Sequence, residues 1–288
     1  MNNFIKSHGL GNDYIVLDQA KISFELSPET VRLICHRNYG IGSDGILLLV
    51  KSNNADFGLR IFNPDGSSAE KSGNGLRIFA KFLYDHGYTD KHILSIDTPG
   101  GIASAELEVD NGKVQFVTVE MGNATFQSRL IPVDGKDREV VNEQMRINGE
   151  ILRITAVSVG NPHCVVFVDE LDEGYVRKLG PVIETHQMFP NRTNVQFARV
   201  ISRDKVEILI WERGAGYTLA SGSSSCAVVA ATVKNGFTDR SVNVLMPGGE
   251  LQIEVREDWS ITMRGSVEEI CSGTISEDLI LKISKLLR

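Results

Sequence analysis

The chain lacks several things at once. No apolar run approaches the ~18–20 residues that a membrane-spanning helix needs; the longest, Ile46-Leu47-Leu48-Leu49-Val50, is strand-sized. Positive charge is in deficit, with 30 Lys and Arg against 37 Asp and Glu and a formal charge of −7. No basic run or basic-aromatic interleaving offers a surface for nucleic acid or an anionic membrane. Cysteines number only 4, and Cys35, Cys164, Cys226 and Cys271 show neither CxxC spacing nor a His/Cys cluster. Neither a metal site nor a disulfide framework is indicated, and the thiols read as reduced and mostly buried. The first residues, Met1-Asn2-Asn3-Phe4-Ile5-Lys6, lack the charged-then-apolar profile of a secretory signal, so a cytoplasmic setting is the expectation. What is abundant is apolar: 42% hydrophobic against 23% charged residues over 288 positions, enough to bury one large core or two smaller ones.

The second case is favoured by an internal duplication. Ser72-Gly73-Asn74-Gly75 and Ser221-Gly222-Ser223 each open a helix-like run. Ten residues upstream of each serine a β-patterned run ends in Ile61-Phe62-Asn63 and Ile210-Trp211-Glu212. Gly45 and Asn194 both lie 27 residues upstream. Farther back, Gly11-Asn12-Asp13-Tyr14 matches Gly160-Asn161-Pro162-His163, and Pro99-Gly100-Gly101 and Pro247-Gly248-Gly249 follow at 27 and 26 residues downstream. Each match alone is ordinary turn chemistry; together, at nearly constant offsets, they indicate two similar lobes, residues 1–118 and 119–270. Residues 271–288 form a tail, amphipathic through Leu279, Leu281, Ile283, Leu286 and Leu287 and expected to pack back on the first lobe.

Within each lobe the pattern is mainly β, with strands expected over 13–18, 45–51, 57–62, 93–97, 102–109 and 114–120, then 156–159, 164–168, 195–202, 205–212, 241–246, 251–256 and 260–264. One helix per lobe follows its serine, about Asn74–His86 and Ser224–Asn235, and Gly87 and Gly236 close them as C-cap residues should. Ala227–Thr232 is almost wholly apolar, the mark of a buried helix. The fold class is α+β: two pseudo-symmetric lobes, each a β-barrel-like sheet around a central helix, with the two helix N-termini expected to face a shared cleft.

Asn12, Asn63, Asn161, Asn194, Glu212 and Arg213 stand at strand edges beside Gly or Pro. Singly, such asparagines are turn residues bonded to local backbone; recurrence in both lobes gathers them around one ligand. The helix N-termini present free N–H groups to an anion. Because no GxxxxGK[ST] and no properly placed GxGxxG occurs, a carboxylate is favoured over a phosphate. Arg213 offers a fork donor to a second carboxylate and Glu212 a partner for an ammonium group. The site suits an amino acid charged at both ends.

At these residues the sequence resembles the diaminopimelate epimerase family, through His8-Gly9-Leu10-Gly11-Asn12-Asp13-Tyr14, Phe62-Asn63-Pro64-Asp65-Gly66-Ser67, Gly73-Asn74-Gly75-Leu76-Arg77, Gly160-Asn161-Pro162-His163, Arg192-Thr193-Asn194-Val195 and Trp211-Glu212-Arg213-Gly214-Ala215-Gly216. The resemblance implies a two-lobed fold, cofactor-independent isomerase chemistry, a small amino-acid substrate and commonly a homodimer. It further implies that Asn12, Asn63, Asn161, Asn194 and Arg213 hold the distal amino-carboxylate of diaminopimelate. Gly73, Asn74, Gly75, Gly222 and Ser223 would hold the reacting end, with His163 and Glu212 near the reacting centre.

The family inverts its substrate with a pair of cysteines, one per lobe; those positions are Ser72 and Ser221 here. A helix N-terminus is worth about 0.3–2 kcal/mol, against ~1.4 kcal/mol per pKa unit, so it does not turn a serine hydroxyl into a thiol's equal as an acid. Three readings stay open: an epimerase with its thiol pair substituted, a diverged racemase or phenazine-type isomerase using His163, Glu212 or Asp44, and a catalytically silent amino-acid binder. Cys226 is expected in the core, and Cys164 follows His163 without an opposing partner.

Overall fold

The duplicated segments fold as two copies of one strand order. A computed structural model describes residues 2–70 and 72–286. The chain divides into two units, Met1–Val119 with Gly265–Arg288, and Glu120–Arg264. In chain order the elements are β1 (Asn3–Gly9), β2 (Asn12–Asp18), α1 (Pro28–Cys35), β3 (Ile46–Val50), β4 (Phe57–Phe62), β5 (Ser68–Ala69), α2 (Gly73–Asp85), β6 (Ile93–Thr98), β7 (Gly101–Asp110) and β8 (Lys113–Asn123). Then follow β9 (Glu143–Ile147), β10 (Glu150–Ser158), β11 (Pro162–Phe167), α3 (Glu173–Glu184), β12 (Asn194–Ser202), β13 (Lys205–Glu212), β14 (Gly216–Thr218), α4 (Gly222–Lys234), β15 (Ser241–Met246), β16 (Gly249–Val255) and β17 (Ser260–Ser266). β18 (Glu268–Thr274) and α5 (Glu277–Leu286) complete the first unit.

In the first unit β18, β1 and β2 pair antiparallel, β2–β3 parallel, β3–β4 antiparallel, β4–β6 parallel, and β6, β7 and β8 antiparallel. The second unit repeats this with β9, β10, β11, then β11–β12 parallel, β12–β13 antiparallel, β13–β15 parallel, and β15, β16 and β17 antiparallel. A parallel pair needs a crossover, and the helices supply it: α1 and α2 in one copy, α3 and α4 in the other. Residues 265–270, assigned by sequence to the second lobe, lie with the first unit because β18 pairs with β1.

The strands nearest the helices carry apolar residues on both faces because both faces are covered. Ile46 and Leu48 of β3 join Ile15, Leu17, Val31 and Ile34 beneath α1 and α5, while Leu47 lies 3.0 Å from the position a Cβ on Gly75 of α2 would take. In the second unit Cys164, Val166, Val195 and Phe197 pack with Val176, Leu179 and Ile183 of α3. α4 is buried from Ser224 through Thr232, including Cys226. Both central helices end in the same Schellman geometry: Gly87 and Gly236 have φ of +73° and +74°, and Tyr88 and Phe237 donate back to the carbonyls of Leu83 and Thr232 at 2.9 Å.

The tail helix is turned differently from the sequence expectation. Ile283 is buried and Leu279 and Ile280 pack against the α1 cluster, whereas Leu281 and Leu286 are exposed. Positions 279, 280 and 283 share one helical face, and 281 falls on the other side. Leu287 lies outside the described residues.

Candidate functional site

Ser72 and Ser221, singled out by the resemblance, are both N-caps. Ser72 (φ −140°, ψ 120°) caps α2 and Ser221 (φ −151°, ψ 123°) caps α4, so the two serines share one backbone conformation. Ser72 Oγ accepts from the Gly75 N–H at 3.0 Å, and Ser221 Oγ from the Ser224 N–H at 3.5 Å. A side chain in this position lies among the free N–H groups and the positive end of the helix dipole.

In the first unit the site residues form a chain of hydrogen bonds. The buried Arg77 donates through Nη2 to Asn74 Oδ1 at 3.0 Å. Asn74 Nδ2 donates to Asn12 Oδ1 at 3.1 Å, and Asn12 Nδ2 to Asp44 Oδ2 at 3.2 Å. Asp44 also takes the Asp13 N–H at 3.1 Å and pairs with Arg37 at 2.8 Å. Asp13 is itself bridged to Lys6 at 3.0 Å and Arg37 at 2.9 Å. Burial would raise the Asp13 carboxyl, but Arg37 and Lys6 outweigh it and hold the group below the usual carboxylate range. The start of β2 at Asn12 and Asp13 is therefore held by charged partners. Asn63 stands apart in the β4–β5 turn, donating through Nδ2 to Ser67 Oγ at 3.0 Å, and Gly73 is the first residue of α2.

The second unit carries a different polar chain. Gln196 Nε2 donates to His163 Nδ1 and to Ser224 Oγ, each at 3.0 Å. With Nδ1 accepting, the ring proton sits on Nε2, which donates to Asn161 Oδ1 at 2.9 Å. His163 is fully buried, and that burial, with the Arg213 charge adding to it, lowers its pKa to about 3. It is a neutral imidazole at working pH. Glu212, half-buried at the end of β13, has its carboxyl raised by burial, and a hydrogen bond with Ser221 partly offsets the rise. Asn194 is tied to the frame through one donor and one acceptor: Nδ2 donates to Pro162 O at 2.9 Å, and Oδ1 accepts the Arg213 N–H at 3.0 Å, which leaves a second amide hydrogen and a second lone pair. Arg213 is exposed and donates to Asn191 O at 3.1 Å. Gly222 is buried and Ser223 half-buried in the first turn of α4.

Alternation along β11 separates His163 from Cys164. The thiol is buried beneath α3 in the outer apolar layer, and burial raises its pKa strongly. It has the surroundings of a core residue, not of an acid or base.

Several positions escaped the sequence reading. Glu184, buried at the end of α3, accepts from Trp211 Nε1 at 2.8 Å and from the Gly214 N–H at 3.1 Å, so it holds both sides of the Glu212-Arg213 turn. Gly180 lets Trp211 lie flat on α3, since a Cβ there would meet Trp211 Cγ at 2.6 Å. Gln196 and Ser224 occupy the places that Leu47 and Gly75 hold in the first copy, both pairs lying 149 residues apart. That constant offset is the signal that would have found them: an apolar pair in one lobe aligns with a polar pair in the other.

A family model for diaminopimelate epimerase matches residues 4–127 and 155–270. A diaminopimelate epimerase 2 of Nostoc sp. is 50% identical over 277 residues, covering 96% of this chain and 96% of that protein. The diaminopimelate epimerase of Leptospira biflexa is 43% identical over 275 residues, 95% of this chain and 98% of the relative. Among solved structures, a probable proline racemase from Agrobacterium radiobacter has a TM-score of 0.72 at 13% identity, covering 96% of this chain and 93% of that one. A phenazine biosynthesis protein from Bacillus anthracis has a TM-score of 0.69 at 16% identity, over 95% and 98%. The structural likenesses establish a shared fold, and the sequence matches establish the lineage: the chain belongs to the diaminopimelate epimerase family.

Proposed function

We propose that this chain performs cofactor-independent stereoinversion at the α-carbon of LL- and meso-diaminopimelate, with Ser72 and Ser221 in the places of the family's thiol pair. Membership of the family supports the substrate, and the observation that carries the chemistry is the Glu212 carboxyl at the end of β13, raised by burial beside Ser221. A carboxyl that burial makes more basic is a better proton acceptor at neutral pH than any serine hydroxyl. Glu212 is the acid-base group, and Ser221 relays or orients. Asn12, Asn63, Asn161, Asn194 and Arg213 bind the distal amino-carboxylate. Gly73, Asn74, Gly75, Gly222 and Ser223 bind the reacting carboxylate at the N-termini of α2 and α4, whose positive dipole ends also stabilise charge that develops on it during deprotonation. His163, neutral and doubly bonded, sets the orientation of Asn161. The family resemblance also carries the expectation of a cytoplasmic homodimer, which sedimentation of the purified protein would test.

The test is α-deuterium incorporation from D2O into LL-diaminopimelate, followed by NMR. The protein as it stands should exchange slowly, and the Ser72→Cys/Ser221→Cys variant at least about 100-fold faster, because a thiol at a helix N-terminus ionises near neutral pH. Glu212→Gln should abolish exchange in the serine protein. Absence of diaminopimelate binding by calorimetry would remove the substrate assignment. A one-carboxylate isomerase of the phenazine-biosynthesis type would then be favoured, because Glu212 alone suffices to move a proton within one molecule.

A further inference from the structure

The strand registers identify a residue that the family motif leaves without a role. In the second unit His163 of β11 is paired with Asn194 of β12. In the first unit the corresponding parallel ladder begins at Ile15↔Ile46, and one step before it stand Tyr14 and Gly45, with the Ile15 N–H donating to Gly45 O at 3.1 Å. Tyr14 is therefore the counterpart of His163, as Gly45 is of Asn194. The two differ in what they reach. His163 spends its ring on Asn161 and Gln196, whereas Tyr14 brings its phenol oxygen to 3.4 Å from Ser72 Oγ.

That placement is built in. Tyr14 is buried, and a Cβ at position 45 would come within 2.7 Å of its ring edge at Cε1 and 2.5 Å of Phe62 O, so glycine makes the seat for the ring. Ser72 Oγ already accepts the Gly75 N–H. If it also accepts from the phenol, both lone pairs are used and its own proton is left for a third partner. The counterpart of Glu212, 149 residues earlier, is the amide Asn63, so the first unit has no carboxyl at that position.

We propose that Tyr14 is the proton store of the Ser72 side: a positioning residue that orients the Ser72 hydroxyl and refills it. The inference rests on the epimerase reading above. In the step it supports, the Ser72 O–H bond breaks as its proton passes to the substrate carbanion, forming the new Cα–H bond. The Tyr14 O–H bond breaks as its proton passes to Ser72 Oγ, and the phenolate left behind takes a proton from solvent water. Nothing is oxidised or reduced. A phenol, with an ordinary pKa of about 10, makes this transfer accessible where an unaided serine does not. The 3.4 Å separation is long for such a bond and would shorten with substrate bound.

The experiment compares Tyr14→Phe with the starting protein in conversion of LL- to meso-diaminopimelate in D2O across pH 6–10, with calorimetric affinity and melting temperature measured beside it. Inversion should fall at least tenfold at unchanged affinity, within twofold, and the alkaline limb of its pH profile should disappear, while α-deuterium exchange through Glu212 persists. In the Ser72→Cys/Ser221→Cys background the same change should cost less than threefold, because thiols then carry the protons. Inversion within twofold of the starting protein, with its alkaline limb intact, would overturn the proposal. So would complete absence of exchange by a serine protein that still binds diaminopimelate, a result that leaves the substrate assignment standing. Loss of binding to the unsubstituted protein would instead sink the epimerase reading and this inference with it.

Discussion

His163 shows how burial can keep an imidazole neutral within the Gly160-Asn161-Pro162-His163 motif. Its pKa of about 3 against an ordinary 6.5 comes mainly from burial. A group whose native value is depressed in this way binds its proton in the unfolded chain first, so between about pH 6.5 and 3 the unfolded state holds more protons. Stability should therefore fall as pH drops below 6.5, by up to about 1.4 kcal/mol per pH unit for one proton. Glu212 opposes this, since its raised native value favours the protonated folded form just above 4.5. Urea midpoints of the protein and of His163→Gln at pH 7 and 5 separate the two contributions. The starting protein should lose more stability on acidification than the variant, and equal losses would mean that the imidazole is not the titrating group.

At the scale of elements, α3 decides whether the Glu212-Arg213 turn is held. Trp211 lies on Gly180, and Glu184 one helical turn later bonds the indole and the Gly214 N–H. Gly180→Ala puts a methyl group into the ring, an overpacking expected to cost about 1–3 kcal/mol. Its urea midpoint should drop, Trp emission should shift as the indole moves, and diaminopimelate affinity should weaken through the displaced Glu212 and Arg213. An unchanged emission spectrum with unchanged affinity would show that α3 does not position this turn. This helix was also among the least legible parts of the sequence. Gly180-Pro181 reads as a break, yet Pro181 is accommodated within the helix, and α1 was hidden by its shortness. By contrast β4, β13 and β15 were readable to the residue, and α2 and α4 to within a residue or two, because turn residues bound them and the duplication fixed their offsets. β1 and β18 were not, since Ser7 and the exposed run Glu268–Ser272 break the two-residue alternation, and β9 is only five residues long, so the alternation of Met145 and Ile147 with Gln144 and Arg146 is a short signal. Of the site, the capping serines and edge asparagines were legible as motifs. The Gln196–Ser224 link and the Tyr14–Ser72 contact depend on which strands pair, which spacing alone does not state.

Across the whole chain the two copies differ in where their edge strand comes from. β9 immediately precedes β10 in the second copy, whereas its counterpart β18 reaches β1 from the other end of the sequence. The first unit is thus closed by residues 265–288, while the second is one continuous stretch, 120–264. Ending the chain after Arg264 removes the antiparallel partner of β1 and takes Ile275 and Ile283 off the cluster of Ile15, Leu17, Val31 and Ile34. An uncovered strand edge and an opened apolar layer together cost an amount comparable with the marginal stability of a domain. Within the second unit every strand pairing from β9 through β16 and the burial of α4 remain. Hydrogen exchange of the shortened chain should show protection lost from β1, β2, β3 and α2 and kept in β11, β12, β13 and α4. Equal loss in both sets would mean that the second unit does not hold its fold on its own contacts.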